Sequence, residues 1–228
     1  MTMLLWIVLP YLALASFVLG HLWRWRYDQF GWKTFRTYLV GNRLLRLGSP
    51  LVHLGAIAVI IGHVLGLLVP RSWTAAVGVS DAAYRLISVT AGTLAGATML
   101  AGLVLLAARR VLHPPVRRTT TIMDVVMYAV LGIVVLLGVW ATVGVNVLGS
   151  GHDYRETVAV WFRGVFLLRP DPSLMAGVPL LFQLHTLAAF ALVAIWPFTR
   201  LVHAWAVLIG VLWRPSQTSR RARAISAV

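Results

Sequence analysis

Seven histidines occur in this chain of 228 residues, and four of them, His53, His63, His185 and His203, lie inside or at the ends of long apolar runs. An imidazole at membrane depth is costly unless it has a partner, so each of the four marks a candidate site. The chain has no cysteine, which excludes disulfides, thiolate metal sites, iron–sulfur clusters and covalent c-type haem attachment. Any metal must sit on His, Met or carboxylate. His53 and His63 are about 15 Å apart along one helix, and His185 and His203 are five whole turns, or about 27 Å, apart along a straight one. If the two helices run in opposite directions, His63 faces His185 at one depth and His53 faces His203 at another. Two stacked haems, each held by an imidazole on either face, require that arrangement. Unequal helix tilt and a bend at Pro197 would absorb the difference in spacing. Tetrahedral zinc suits the pattern less well, because its four ligands would have to converge from histidines about 15 Å apart on one helix. A haem with both axial positions filled by protein has no open site for a reactant and carries electrons. Without haem, the same histidines would suit a proton relay in a transporter.

The elements that must position these imidazoles follow from composition. With 60% hydrophobic and 11% charged residues, the chain cannot cover the surface of a water-soluble globule and reads as an all-α integral membrane protein. Five apolar runs reach the roughly 20 residues needed to cross a bilayer. They extend from about Met3 to Trp23, Gly48 to Val69, Tyr84 to Ala108, Met123 to Val145, and Gly177 to Trp213, the last kinked at Pro197. No further domain is left over, so residues 1–228 read as one membrane domain ending in a basic tail at 214–228, of which Ser216 to Val228 is expected to be mobile unless a partner holds it. Arginines and lysines gather in the segment 24–50, at Arg109, Arg110, Arg117 and Arg118, and from Arg200 to Arg223. On the opposite face Arg71, Arg85, Arg155, Arg163 and Arg169 are diluted by Asp81, Asp153, Glu156 and Asp171. The positive-inside rule therefore places the N-terminus outside and the C-terminus in the cytoplasm, with the two haems between helices 2 and 5. Topology accounts for most of the net charge of +14, and no nucleic-acid partner is needed to explain it. The first span has no basic leader before it and reads as a retained helix. Tryptophans 23, 25, 32, 73, 161 and 213 lie near span ends, where interfacial anchors belong. Gly92 and Gly96, with Ala95, Ala97 and Ala101, form a small-residue face suited to close helix packing. Arg109 and Arg110, at the inner end of the third span, are candidates for the haem propionates. His21, His113 and His152 read as ordinary solvated or interfacial residues.

Several separated motifs carry a family resemblance. They are Arg26-Tyr27-Asp28-Gln29 with Trp32, His53-Leu54-Gly55 with Gly62-His63, and Arg118-Thr119-Thr120-Thr121 with Asp124. The run from Pro172 to Pro179, Phe182-Gln183-Leu184-His185, and the run from Pro197 to Trp205 complete the pattern. Over nearly its whole length the chain resembles the gamma subunit of respiratory nitrate reductase, a dihaem cytochrome b membrane anchor. The resemblance implies two haem b groups, an outer one on His63 and His185 and an inner one on His53 and His203. It also implies oxidation of a membrane quinol, menaquinol or ubiquinol, near the outer haem at the bacterial cytoplasmic membrane. Its implied partners are an iron–sulfur beta subunit and a molybdenum-containing alpha subunit that reduces nitrate. Where the family carries a lysine associated with quinol, this chain has Tyr84 with Arg85 beside it, and either could donate a hydrogen bond to a quinone oxygen. The membrane anchors of hydrogenases, formate dehydrogenases and sulfur-compound reductases form the neighbouring alternative.

Overall fold

A computed structural model describes residues 1–27, 42–149 and 151–204. Five helices in it are long and apolar enough to cross a membrane: Leu4–Tyr27, Arg43–Leu68, Asp81–Leu112, Ile122–Val145 and Leu180–Phe198. The ends of these spans are written in local side-chain chemistry. Asn42 opens the second span by accepting from the backbone N–H of Leu45, and Ser80 opens the third by accepting from that of Ala83. Thr121 and Asp124 form a reciprocal capping box at the start of the fourth. Each cap satisfies donors that a helix start would otherwise leave bare.

The spans pack in the order second, third, fourth, fifth, first. Glycines set the closest approaches. A Cβ on Gly55 would lie 2.6 Å from the Met99 backbone nitrogen, and one on Gly102 would lie 2.6 Å from that of Val52, so the second and third spans touch backbone to backbone. Of the small-residue face expected on the third span, Gly96 meets Val139 of the fourth, whereas Gly92 faces looser space with Thr142. The fifth span is held to the first by Ser16, which donates to the Ala194 carbonyl, and by Arg24, which donates to that of Pro197.

Two sequence expectations need correction. The fifth element is not one kinked helix: its α-helix runs Leu180–Ile195 and gives way to two short 3₁₀ turns, Trp196–Phe198 and Arg200–Val202. Pro197 cannot continue the hydrogen-bond ladder, and Thr199 stands extended between the turns at φ −111°, ψ 176°. The continuation to residue 213 and the tail at 214–228 lie outside the described residues, as do Trp32 and the basic positions Lys33 and Arg36. The connection after the fourth span contains a further helix, Val158–Phe166, tucked against the first. Second, Trp161 on that helix is fully buried, donates its indole N–H to the Trp6 carbonyl, and belongs to the core rather than to an interfacial belt. Trp23 and Trp73 are exposed, as anchors should be.

Candidate cofactor site

The second and fifth spans face each other across a cavity of about 1780 Å³. Ordinary small-molecule pockets hold about 300–1,000 Å³. This one has room for more than one large group, and its walls are mainly aliphatic and aromatic. His53, His63 and His185 of the spans line it, as does His203, which stands just beyond the end of the fifth.

They meet in two pairs. The rings of His63 and His185 have centroids 5.9 Å apart, and those of His53 and His203 are 6.1 Å apart. In each of the four, Nδ1 is engaged by a backbone carbonyl: His53 by Ser49 at 2.7 Å, His63 by Val59 at 2.8 Å, His185 by Val134 at 3.0 Å and His203 by Arg200 at 2.5 Å. A carbonyl only accepts, so Nδ1 carries a proton in each, which leaves Nε2 of the neutral tautomer as the nitrogen able to ligate a metal. Acceptors of this kind would orient an imidazole that ligated a metal and raise its basicity. For His53 and His63 the acceptor is one helical turn back on the same span. For His185 it comes from the fourth span, and for His203 from the turn that precedes it.

The spacing fits a bis-histidine haem. A ligating imidazole nitrogen lies about 2 Å from its metal and the ring centre about 1 Å further, so two rings sharing one ion have centroids about 6 Å apart. Among the described residues, no three His or carboxylate side chains converge as a metal cluster. The imidazoles come in twos. The unequal sequence spacings are reconciled by the break after Ile195, because residues 196–203 no longer climb one straight axis. Gly138 shapes the His63–His185 end: a Cβ there would stand 2.9 Å from Cε1 of His185, so its missing side chain is where that ring lies.

At the His53–His203 end, Arg109 is buried and Arg110 largely so, and both line the cavity. Arg110 donates to Asp124 and to Thr120, each at 3.1 Å. Arg200, also on the cavity wall, donates to the same carboxylate through Nε at 2.5 Å and Nη2 at 3.1 Å. Sequence reasoning assigned no site role to Asp124 or Arg200, although the T-x-x-D spacing of Thr121 and Asp124 could have been read as a cap.

At the His63–His185 end the two quinol candidates separate. Tyr84 lines the cavity, with its hydroxyl 3.2 Å from that of Tyr154 and the Arg155 guanidinium stacked 3.8 Å over its ring. Arg85 is exposed and donates to the Asn146 carbonyl. Tyr154 was missed because nothing in a loop sequence says that it folds back: its hydroxyl lies 2.7 Å from where a Cβ on Gly66 would be. Burial, reinforced by the hydrogen bond with Tyr84, pushes the Tyr154 phenol above its ordinary range and keeps it neutral. On the same rim, Arg71 is ion-paired with Asp81 and Glu156. His152 is part-buried there, with Nε2 3.0 Å from the Thr157 hydroxyl, and burial lowers its pKa.

Residues 2–222 match the family described as nitrate reductase gamma subunit. The chain is 39% identical to the nitrate reductase gamma chain of Bacillus subtilis over 211 residues, covering 92% of this chain and 94% of that one. It is 30% identical to the respiratory nitrate reductase 1 gamma chain of Escherichia coli over 214 residues, covering 93% and 94%. The nitrate reductase-like protein NarX of Mycobacterium tuberculosis is 49% identical over 213 residues, which are 93% of this chain but only 33% of NarX. The chain thus spans about a third of that relative.

Proposed function

Since the chain belongs to the nitrate reductase gamma subunit family, we propose that it is the quinol-oxidising cytochrome b subunit of a respiratory nitrate reductase in the bacterial cytoplasmic membrane. The observation that carries this reading is the double pairing of imidazoles at centroid separations of 5.9 and 6.1 Å, each with Nδ1–H committed to a carbonyl. His63 and His185 hold an outer haem b, and His53 and His203 an inner one. Haem b held in this way supplies reversible one-electron transfer with no open coordination position.

The protein's own groups do the rest. With the basic ends taken as cytoplasmic, Arg109, Arg110 and Arg200 belong to the inner side and Tyr84 and Tyr154 to the outer side. Tyr84 and Tyr154 offer hydroxyls to a quinol, either menaquinol or ubiquinol, with Arg85 at the rim. Protons released there leave outward while electrons move inward, so charge is separated across the bilayer. Moving each electron against the potential costs about 2.3 kcal/mol per 100 mV, which the redox span between quinol and acceptor must exceed. Arg109 and Arg110 are placed to neutralise propionates of the inner haem, Arg110 while sharing Asp124. Residues 1–228 act as one membrane domain whose basic inner face and tail at 214–228 meet an iron–sulfur beta subunit, and through it a molybdenum-containing alpha subunit.

Addition of a menaquinol or ubiquinol analogue to the purified, oxidised chain tests this directly. Reduction of b-type absorbance bands equivalent to about two haems per chain is the expected result. A chain with no b-type bands would instead belong to the proton-relay class. Stoichiometric haem that no quinol reduces would leave an electron carrier without the proposed donor.

A further inference from the structure

His203 differs from the other three imidazoles in what holds its acceptor. His53 and His63 donate to carbonyls within their own continuous helix, and His185 donates to the fourth span. His203 donates to the carbonyl of Arg200, in a 3₁₀ turn that follows an extended residue and so is not fixed by the ladder of the Leu180–Ile195 helix. The turn's own bonds, from the His203 backbone N–H to the Arg200 carbonyl and from the Leu201 N–H to the Thr199 hydroxyl, hold it locally, and a lateral contact fixes where it sits. Arg200 supplies it by laying its guanidinium on Asp124, with Nε donating to Oδ1 at 2.5 Å and Nη2 to Oδ2 at 3.1 Å.

Asp124 is suited to act as an anchor. It is 2% exposed, and its carboxylate also accepts from Arg110 and from the backbone N–H of Thr121, so the third span and the Arg200 turn converge on one capped helix start. A carboxylate this buried, held by charge-assisted bonds from two arginines, does not drift. Thr199 is buried as well and closes the turn by accepting from the Leu201 N–H.

We propose that the Asp124–Arg200 pair is a positioning clamp for His203, which sets the orientation and basicity of the inner haem's axial imidazole and leaves the outer site untouched. The clamp rests on the bis-histidine reading above. It acts through the turn and not by contact with the reacting atoms. A well-oriented Nδ1–H···O bond makes the imidazole a stronger donor, which favours the ferric state and lowers the potential, so loosening the clamp raises it.

The sign separates this role from a simple charge effect. In Arg200→Ala a cation is lost beside the inner site, and charge alone would lower the potential. Loss of orientation would raise it. The experiment is an optical redox titration of the intact chain, supported by low-spin electron paramagnetic resonance, with the inner component identified as the one missing from His203→Ala. The clamp predicts an upward shift of the inner component in both Arg200→Ala and Asp124→Asn, an altered inner low-spin signal, and an unmoved outer component. Asp124→Asn combined with Arg200→Ala should shift no further than the larger single change. If Asp124→Asn fails to insert, Arg200→Ala alone decides, because it leaves the helix cap intact. An inner potential that falls or stays put in Arg200→Ala, or outer and inner components that move together, would overturn the clamp. Absence of b haem from the unsubstituted chain would instead overturn the function on which it rests.

Discussion

Gly138 offers a perturbation whose size can be worked from the structure. The ring of His185 lies across the fourth span, with Nδ1 donating to the Val134 carbonyl at 3.0 Å and Cε1 2.9 Å from where a Cβ at position 138 would stand. Ordinary carbon contacts begin near 3.5 Å, so in Gly138→Ala the ring must retreat by about 0.6 Å. A retreat of that size stretches the bond to Val134 towards the limit at which a hydrogen bond ceases to count. Overpacking costs about 1–3 kcal/mol and the lost hydrogen bond about 1 kcal/mol. Together these weaken retention of the outer haem by roughly 30- to 1,000-fold, while the inner pair, on the other side of the cavity, is spared. Gly138→Val adds two methyls to the same clash and should empty the outer site. The assay is haem b content per chain with reduced-minus-oxidised spectra, and the expected result is partial loss of one component in the alanine variant and its full loss in the valine variant. Two unaltered components in Gly138→Val, or equal loss of both, would refute the placement of His185 against that glycine.

Other perturbations probe separate parts of the account. Tyr84→Phe removes the hydroxyl that pairs with Tyr154 and should lower quinol turnover with haem content unchanged, whereas Arg85→Ala, on the exposed rim, should have the smaller effect. Equal turnover in both variants and the unsubstituted chain would discard that site. Gly55→Leu puts a side chain where the Met99 backbone stands at 2.6 Å, so the second and third spans must part and both haems should be lost together; retention of both would contradict the backbone contact. His152 has its pKa lowered by burial, so its contribution to stability is complete above the ordinary imidazole value of 6.5 and fades as pH falls below it. Thermal unfolding of His152→Gln should therefore depend less on pH across the acid side of neutrality, and an unchanged pH dependence would show that another group is responsible.

The sequence disclosed those features that depend on length and period alone. Five spans follow from apolar runs, and the pairing of His53 with His203 and His63 with His185 follows from depth on antiparallel helices. What it concealed depends on long-range folding back. Trp161 has the composition of an interfacial anchor, and only the Val158–Phe166 helix lying against Trp6 shows that it is covered. Asp124 is legible as a cap from its spacing to Thr121, yet its partner Arg200 is 76 positions away, so the clamp cannot be read locally. The carbonyl that receives His185 belongs to Val134, 51 positions earlier. Pro197 announced a bend, but a bend and a full break followed by an extended Thr199 look alike in sequence, because the restarting turn depends on where the Thr199 hydroxyl finds its donor.

The most direct measurement of the central claim is haem b quantitation, with spectra, across the four single variants His53→Ala, His63→Ala, His185→Ala and His203→Ala. The account predicts that His63→Ala and His185→Ala lose the same spectral component, that His53→Ala and His203→Ala lose the other, and that each variant keeps about one haem. Loss of different components by His63→Ala and His185→Ala, or full retention of haem in any of the four, would contradict it.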